Sequence, residues 1–358
     1  MHPAGVDLTL MKIAVSNPAS VPQDFRQRVG PFLQAHGFAD DCVIEPVTGG
    51  GNNCVYRVQT AARTGLLKAY FQNPADPRDR FGTERAFYEF LWRSGVRRTP
   101  EALGWDGAER LGLFTFVDGR KLRAEEIAAE SVGQALEFIA ELNRERKSAA
   151  TGQLPLASEA CFSVAEHLAC VERRVARLDQ IESATDLGRE AAAFVANELK
   201  PAWRRLSATL GQTPQADEPL PPAQRCLSPS DFGFHNALLT EDGRLRFFDF
   251  EYAGWDDPAK LACDFFCQPQ VPVDFCHRDA FLSRLAQALE LDAAFSDRVR
   301  RLQLAYQVKW CCIMLNDYVR GDAARRDFAK GATDADARRR TQLDKARQGL
   351  RRTMKSEH

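Results

Sequence analysis

The sequence predicts an α+β protein of two lobes, a small antiparallel-sheet N-lobe with one packed helix and a larger helical C-lobe. Three observations predict it. Between residues 42 and 70 the apolar residues fall in short β-like runs, CVIEPV, CVYRVQT and GLLKAYF, separated by turn-forming residues that include TGGGNN. Residues 79–93 change to a spacing of three and four, with Phe81, Phe87, Phe90 and Leu91 on one face. Beyond residue 120 the apolar spacing is mostly helical, as in AEEIAAESVGQALEFIAELNRE and SVAEHLACVERRVARLDQI.

Taken in chain order, residues 21–37 carry Phe25, Val29, Phe32 and Leu33 at helical spacing behind Ser20, with Gly37 as the stop, so a capped amphipathic helix closes an N-terminal extension over 1–40. The three β-like runs form a meander with Lys68 on its third strand, and the helix over 79–93 packs on that meander with Glu84 off to its side. A further strand, LGLFTFVDG, completes the N-lobe over 41–118. The helical lobe runs from 119 to 320. Within it the proline-rich QTPQADEPLPPAQ has no apolar period and reads as an exposed connector. The tail, 321–358, is short of large apolar residues and dense in both charge signs, which predicts a solvated helix.

Composition narrows the function classes. A net charge of -1 over 358 residues gives the protein as a whole no electrostatic reason to seek nucleic acid or an anionic membrane. The basic clusters at Arg338–Arg340 and Arg351–Arg352 lack the interleaved aromatics of a nucleic-acid surface. No basic segment feeds a long apolar stretch, and the longest apolar run, 310–315, is far short of a membrane span. Ten cysteines scattered through apolar stretches read as small buried hydrophobes in a reducing cytoplasm. The grouping of Cys263, Cys267, Cys276 and His277 lacks the spacing of a zinc site. Monomer and dimer both stay open.

The chemistry concentrates in SPSDFGFHNALLTEDGRLRFFDF, which starts at Ser228. Asp231 and Asn236 lie on a glycine-containing loop, and a short hairpin turning at Gly243 returns the chain to Asp249 beside Asn236. Phosphoryl transfer needs a metal to neutralise phosphate oxygens and a carboxylate to orient the acceptor hydroxyl and take its proton. Magnesium takes hard oxygen ligands and keeps several waters, so Asn236 and Asp249 suffice as its protein ligands, leaving Asp231 as the base. An isolated Asp and Asn at this spacing also fit a turn and a cap. The order of parts upstream decides for the chemistry. Gly49, Gly50 and Gly51, with Asn52 after them, let backbone approach a phosphate. Lys68 interrupts an apolar strand and needs an anionic partner, which Glu84 and nucleotide phosphates supply.

With those residues in view, the chain resembles the aminoglycoside phosphotransferase and choline kinase superfamily, whose fold is protein-kinase-like. DFGFHNALL is similar to that family's catalytic loop, and FFDFEYAGWDDPAKLACDFF to its metal-binding segment, within a likeness that covers about residues 40 to 320. The resemblance implies ATP or GTP, Mg2+, and phosphorylation of a hydroxyl on a small polar molecule such as a sugar, an aminoglycoside or an amino alcohol. It implies that Phe116 and Val117 open the hinge beside the nucleotide base, and that Asp264 braces the catalytic loop. One position departs from the family: the histidine usual two residues before the catalytic aspartate is Pro229, so the loop has to be fixed by the proline and its flanking serines. That departure keeps open a catalytically silent nucleotide-binding module, and the basic tail keeps open a macromolecular acceptor. For the acceptor pocket the candidates are His235, Glu251, Lys309, Asn316 and Asp317, each of which also fits an ordinary loop, cap or surface role.

Overall fold

Alternation along the N-terminal strands decides how the first lobe is layered. The structure, a computed structural model, describes residues 21–39, 41–47, 53–71, 78–212, 216–319 and 335–356. Strands β1 (Val43–Pro46), β2 (Cys54–Gln59), β3 (Thr64–Ala69), β4 (Ala102–Asp106) and β5 (Leu111–Thr115) form one antiparallel sheet in the order β1-β2-β3-β5-β4. Leu67, Leu111 and Leu113 pack with Val29, Phe32 and Leu33 of helix α1 (Gln23–Ala35). One residue along, Leu66 and Phe114 pack with Phe87, Tyr88, Phe90 and Leu91 of α2 (Arg80–Arg93). Side chains on a strand alternate faces, so Lys68 shares the α2 side with Leu66. The expected meander and packed helix are therefore present. Helix α1 has Pro22 at its N-cap without a side-chain bond, whereas Ser20, the expected cap, lies outside the described residues. Gly37 ends it at a φ of 78°.

The second lobe is built on helices α3 (Ala129–Asn143), α4 (Val164–Arg177), α5 (Asp186–Phe194), α6 (Lys200–Gly211), α7 (Pro258–Cys267), α8 (Arg278–Ala288), α9 (Ala294–Leu315) and α10 (Ala335–Ser356). Two short ribbons interrupt them: β6 (Cys226–Ser228) pairs with β9 (Gly254–Asp256), and β7 (Ala237–Leu239) with β8 (Leu245–Phe247). Helix α9 is the axis of the lobe. Its Val299, Leu302 and Tyr306 join the core shared with α3, α7 and α8, while Val308, Cys311, Cys312 and Leu315 join a second core with α4, α6 and α10.

The tail departs from the sequence expectation. Helix α10 is docked on α9 through Leu343, Ala346 and Leu350, which are almost wholly buried. Three of its arginines meet acids of the helical lobe: Arg338 faces Asp317 at 3.4 Å, and Arg340 and Arg347 both meet Glu190. Three apolar residues at helical spacing suffice for docking because the lost area lies against a ready apolar groove, which composition does not register. Replacing Leu343 by Ala should cost about 2–5 kcal/mol of stability by urea denaturation. A cost near zero would mean that the helix is not packed as described.

The lobes meet along residues 116–119. Gly119 has no room for a Cβ, which would lie 2.9 Å from the Leu239 carbonyl oxygen. That approach lets Arg120 pair with Leu239 by two backbone bonds of 2.9 and 2.8 Å, tying the crossing to the β7–β8 ribbon.

Candidate active site

The β7–β8 ribbon carries its two key residues at one end. Ala237 pairs with Phe247 and Leu239 with Leu245, the turn closes at Gly243 with a φ of 75°, and the Phe248 N–H extends the ladder to the Asn236 carbonyl at 3.1 Å. Asp249 follows with a φ of 69°, a left-handed conformation that costs a residue with a Cβ roughly 1–2 kcal/mol. That turn sends its carboxylate across the lobe junction to β3.

There Lys68 Nζ lies 2.6 Å from Asp249 Oδ1 and 2.6 Å from Glu84 Oε2. Glu84 is only 1% exposed and fully partnered: Tyr70 Oη donates to Oε2 at 2.7 Å and the Phe250 N–H donates to Oε1 at 3.0 Å. Burial alone lowers the Lys68 pKa, but Asp249, Glu84 and Glu251 together outweigh it and raise it above the usual lysine value. Burial raises both Glu84 and Asp249, opposed in each case by Lys68. Two cations, Lys68 and Arg80, thus face three carboxylates, Asp249, Glu84 and Glu251. A site of this kind has spare negative charge to give to a cation.

Asp231 stands at the other side of the ribbon end, its charge felt at Asp249. The bond from its N–H to the Pro229 carbonyl at 2.9 Å, across Ser230 at a φ of 65°, makes a tight three-residue turn. Serines on either side of Pro229 hold that turn. Ser230 N–H donates to Ser228 Oγ at 2.9 Å, and Ser230 Oγ donates to the Ser158 carbonyl at 3.2 Å. Lys260 Nζ, 1% exposed, donates to Ser230 Oγ at 3.1 Å and to Asp256 Oδ2 at 2.7 Å. Asp264 lies 3.6 Å from that ammonium and accepts from Lys309 and from Trp310 Nε1, so it reaches the loop through Lys260.

The Asp231 carboxylate accepts from His235 Nε2 at 3.1 Å. Burial alone would raise its pKa, but the His235 bond, with help from Asn236 and Lys309, leaves it below the usual aspartate range. Asn236 Nδ2 donates to the Asp231 carbonyl at 3.0 Å, so the amide nitrogen is turned to the backbone and the amide oxygen is the atom left to face an ion. With one oxygen of Asp249 on Lys68 and the other unspent, the donor set is two hard oxygens, which fits magnesium completed by waters and phosphates. Among the described residues no group of three or more His, Cys, Asp or Glu side chains is placed to hold a metal by itself.

Other expected residues divide. Phe116 and Val117 lie half-buried at the lobe crossing, Phe116 under the Arg57 guanidinium at 5.2 Å. Gly49, Gly50, Gly51 and Asn52 lie outside the described residues. His235 lies on the same loop as Asp231 and is bonded to its carboxylate. Three acceptor candidates do not reach an open surface. Glu251, 2% exposed, is bonded by Asn53 Nδ2 at 2.7 Å with Arg80 at 3.7 Å; Lys309 is buried on Asp264; Asp317 is buried against Arg338. Asn316 caps the end of α9. Each charge found a partner far away in sequence, which spacing along one helix cannot reveal.

Sequence reasoning missed Lys260, Tyr70, Asn53 and Lys121. Lys260 had a local signal, since it stands four residues after Asp256 and four before Asp264. Lys121 had none. Its amine donates to the His235 carbonyl and lies 4.3 Å from the Phe248 ring, so the crossing segment grips the loop that carries Asp231 and His235.

Residues 43–302, well over half of the chain, match the family model described as the phosphotransferase enzyme family. The chain belongs to that family. Solved structures agree on the architecture of this phosphotransferase. Choline kinase from Cryptosporidium parvum superposes with a TM-score of 0.59 at 12% identity, covering 92% of this chain and 97% of that one. The choline kinase LicA from Streptococcus pneumoniae gives 0.58 at 14%, covering 92% and 99%. Spectinomycin phosphotransferase, in complex with ADP and spectinomycin, gives 0.56 at 12%, covering 90% and 98%. Identities this low establish the fold alone, the kinase-like bilobal α+β fold. A search of the curated proteins found no match. No helix among the described residues is long and apolar enough to cross a membrane.

Proposed function

We propose that this phosphotransferase moves the terminal phosphoryl group of ATP or GTP to a hydroxyl of a small polar molecule, with Asp231 as base, Asn236 and Asp249 as magnesium ligands, and Lys68, held by Glu84, on the nucleotide phosphates. The observation that carries it is Lys68 Nζ at 2.6 Å from both Glu84 and Asp249, at the ribbon end that also presents Asn236 and Asp231. Magnesium, when bound, supplies charge neutralisation of the phosphates. Lys68 orients those phosphates, and the depressed pKa of Asp231 keeps its carboxylate ionised and able to take the acceptor's proton. Nucleotide use is supported by the ADP and AMP complexes among the structural neighbours.

The acceptor follows from charge. Three carboxylates that follow Asp249 in the chain are already paired: Glu251 on Asn53 and Arg80, Asp256 on Lys260, and Asp257 on His167 and Arg298. A neutral sugar or polyol hydroxyl therefore fits better than a polycation. A phosphorylation screen across sugars, aminoglycosides and amino alcohols, with ATP and with GTP, tests the reading. Nucleotide that binds and stays whole with every acceptor, with and without magnesium, would instead mean a binding module.

Lys121 adds a pH limb. Burial of its amine against the loop pulls its pKa down to about 8, with Asp249 opposing. Its positive charge beside the catalytic loop is present below that value and lost above it. Activity should fall as pH rises through about 8, read as kcat/KM against pH. Lys121→Arg, charged at all these values, should remove that limb, and an unchanged profile would exclude Lys121 as its source.

A further inference from the structure

At the turn end of the β7–β8 ribbon, away from the end that carries Asn236 and Asp249, the lobes form an open concavity of about 320 Å³. Its walls come from three places: the turn after α2, the C-terminal end of α3, and β8 with the residue before it. Five arginines line it, Arg97, Arg98, Arg144, Arg244 and Arg246, against the single carboxylate of Glu141. In a chain whose net charge is -1 this is a strong local excess of one sign.

The five differ in how they are held. Arg97 is fixed over the Trp92 ring at 4.0 Å and donates to the Trp92 carbonyl at 2.8 Å. Arg98 is fixed by Glu137 at 2.7 Å and Glu141 at 2.9 Å. The side chains of Arg144 and Arg246 make no hydrogen bond or ion pair among the described residues, and that of Arg244 has a 3.6 Å contact with the exposed Asp242, which also feels the charge of Arg246. Gathering five guanidinium groups around one hollow costs mutual repulsion. A guanidinium fork matches phosphate or sulfate oxygens in pairs, and a hollow of this size takes a small molecule and excludes a helix or a duplex.

We propose that this pocket binds a small, multiply charged anion of the phosphate or sulfate class, held between the two lobes by Arg144, Arg244 and Arg246. Such a ligand would tie the N-lobe turn and α3 to β8. The Phe247 N–H already pairs with the Arg98 carbonyl at 2.8 Å, and Asp249 lies two residues beyond Phe247. An anion here therefore acts on the strand that positions the reaction centre, by a site separate from it.

Calorimetric titration of the full chain with pyrophosphate and with inorganic phosphate tests the proposal. Pyrophosphate should bind, and more tightly than phosphate, because it reaches more than one arginine. Arg246→Gln should weaken it by about tenfold or more, the value of one charge-assisted bond. Arg144→Glu, at an exposed position, should weaken it further by adding a repelling charge, with thermal denaturation confirming that the variant is folded. Absence of pyrophosphate binding to the wild-type chain, or binding undiminished in Arg144→Glu, would overturn the proposal, since an anion held by Lys68 is indifferent to Arg144.

Discussion

Asp231→Asn should lower phosphoryl transfer by about 100- to 10,000-fold while nucleotide affinity stays within a few-fold of wild type. The substitution is unusually clean here. The amide oxygen of Asn accepts from His235 Nε2 as the carboxylate does, and the bond from Asn236 Nδ2 goes mainly to the backbone carbonyl of residue 231, at 3.0 Å, which the change leaves in place. Loop geometry is thereby kept while the basic oxygen is lost. Single-turnover kinetics with the acceptor found by the screen, beside nucleotide titration, separates the two effects. Transfer at the wild-type rate would remove Asp231 from the chemistry. Equal losses in nucleotide affinity and in rate would mean that the loop itself had moved.

The same loop shows what the sequence could and could not disclose. Pro229 in the place of the family histidine pointed to a different way of fixing the turn, and the flanking serines were the right groups to name. Ser228 and Ser230 are bonded as expected, because a hydroxyl can bond backbone within two residues and that reach is legible from order alone. Lys260 completes the brace from thirty residues away. Nothing in a linear pattern marks a lysine as buried until its partners are placed around it.

Other parts follow the same division between local and distant causes. The ribbon was legible because a short hairpin is fixed by its own turn, and Gly243 has the positive φ that the turn requires. Lys68 and Glu84 were legible because a charge in an apolar strand demands a counter-charge, and the next helix offered one. Strand β4 was not, since its five residues are all half-buried and show no alternation, with a bulge between Ala102 and Gly104. Strands β6 and β9 are three residues each and pair across 28 positions of sequence, too short for a period and too far for a turn. Glu251, Lys309 and Asp317 looked like polar groups free for a ligand because the partners that neutralise them lie on other elements.

The pairing at Lys68 gives the second large effect, and it has opposite signs for activity and stability. In the free protein Asp249, Glu84 and Glu251 all act on one ammonium, and burial already raises the pKa of Asp249. Asp249→Asn removes one negative charge from that crowd and leaves Lys68 its bond to Glu84 at 2.6 Å. The melting temperature without ligand should hold or rise, whereas transfer should fall at least about 100-fold, because the proposed metal loses its only charged protein ligand. Lys68→Met does the reverse to the fold. It strips the counter-charge from Glu84, whose side chain is 2% exposed, and breaking a buried pair from one side costs roughly 3–5 kcal/mol. Thermal denaturation of the two variants side by side, with and without magnesium and nucleotide, separates the roles. An Asp249→Asn protein that gains stability from magnesium and nucleotide as fully as wild type would show that the carboxylate serves Lys68 alone and takes no part in holding the ion.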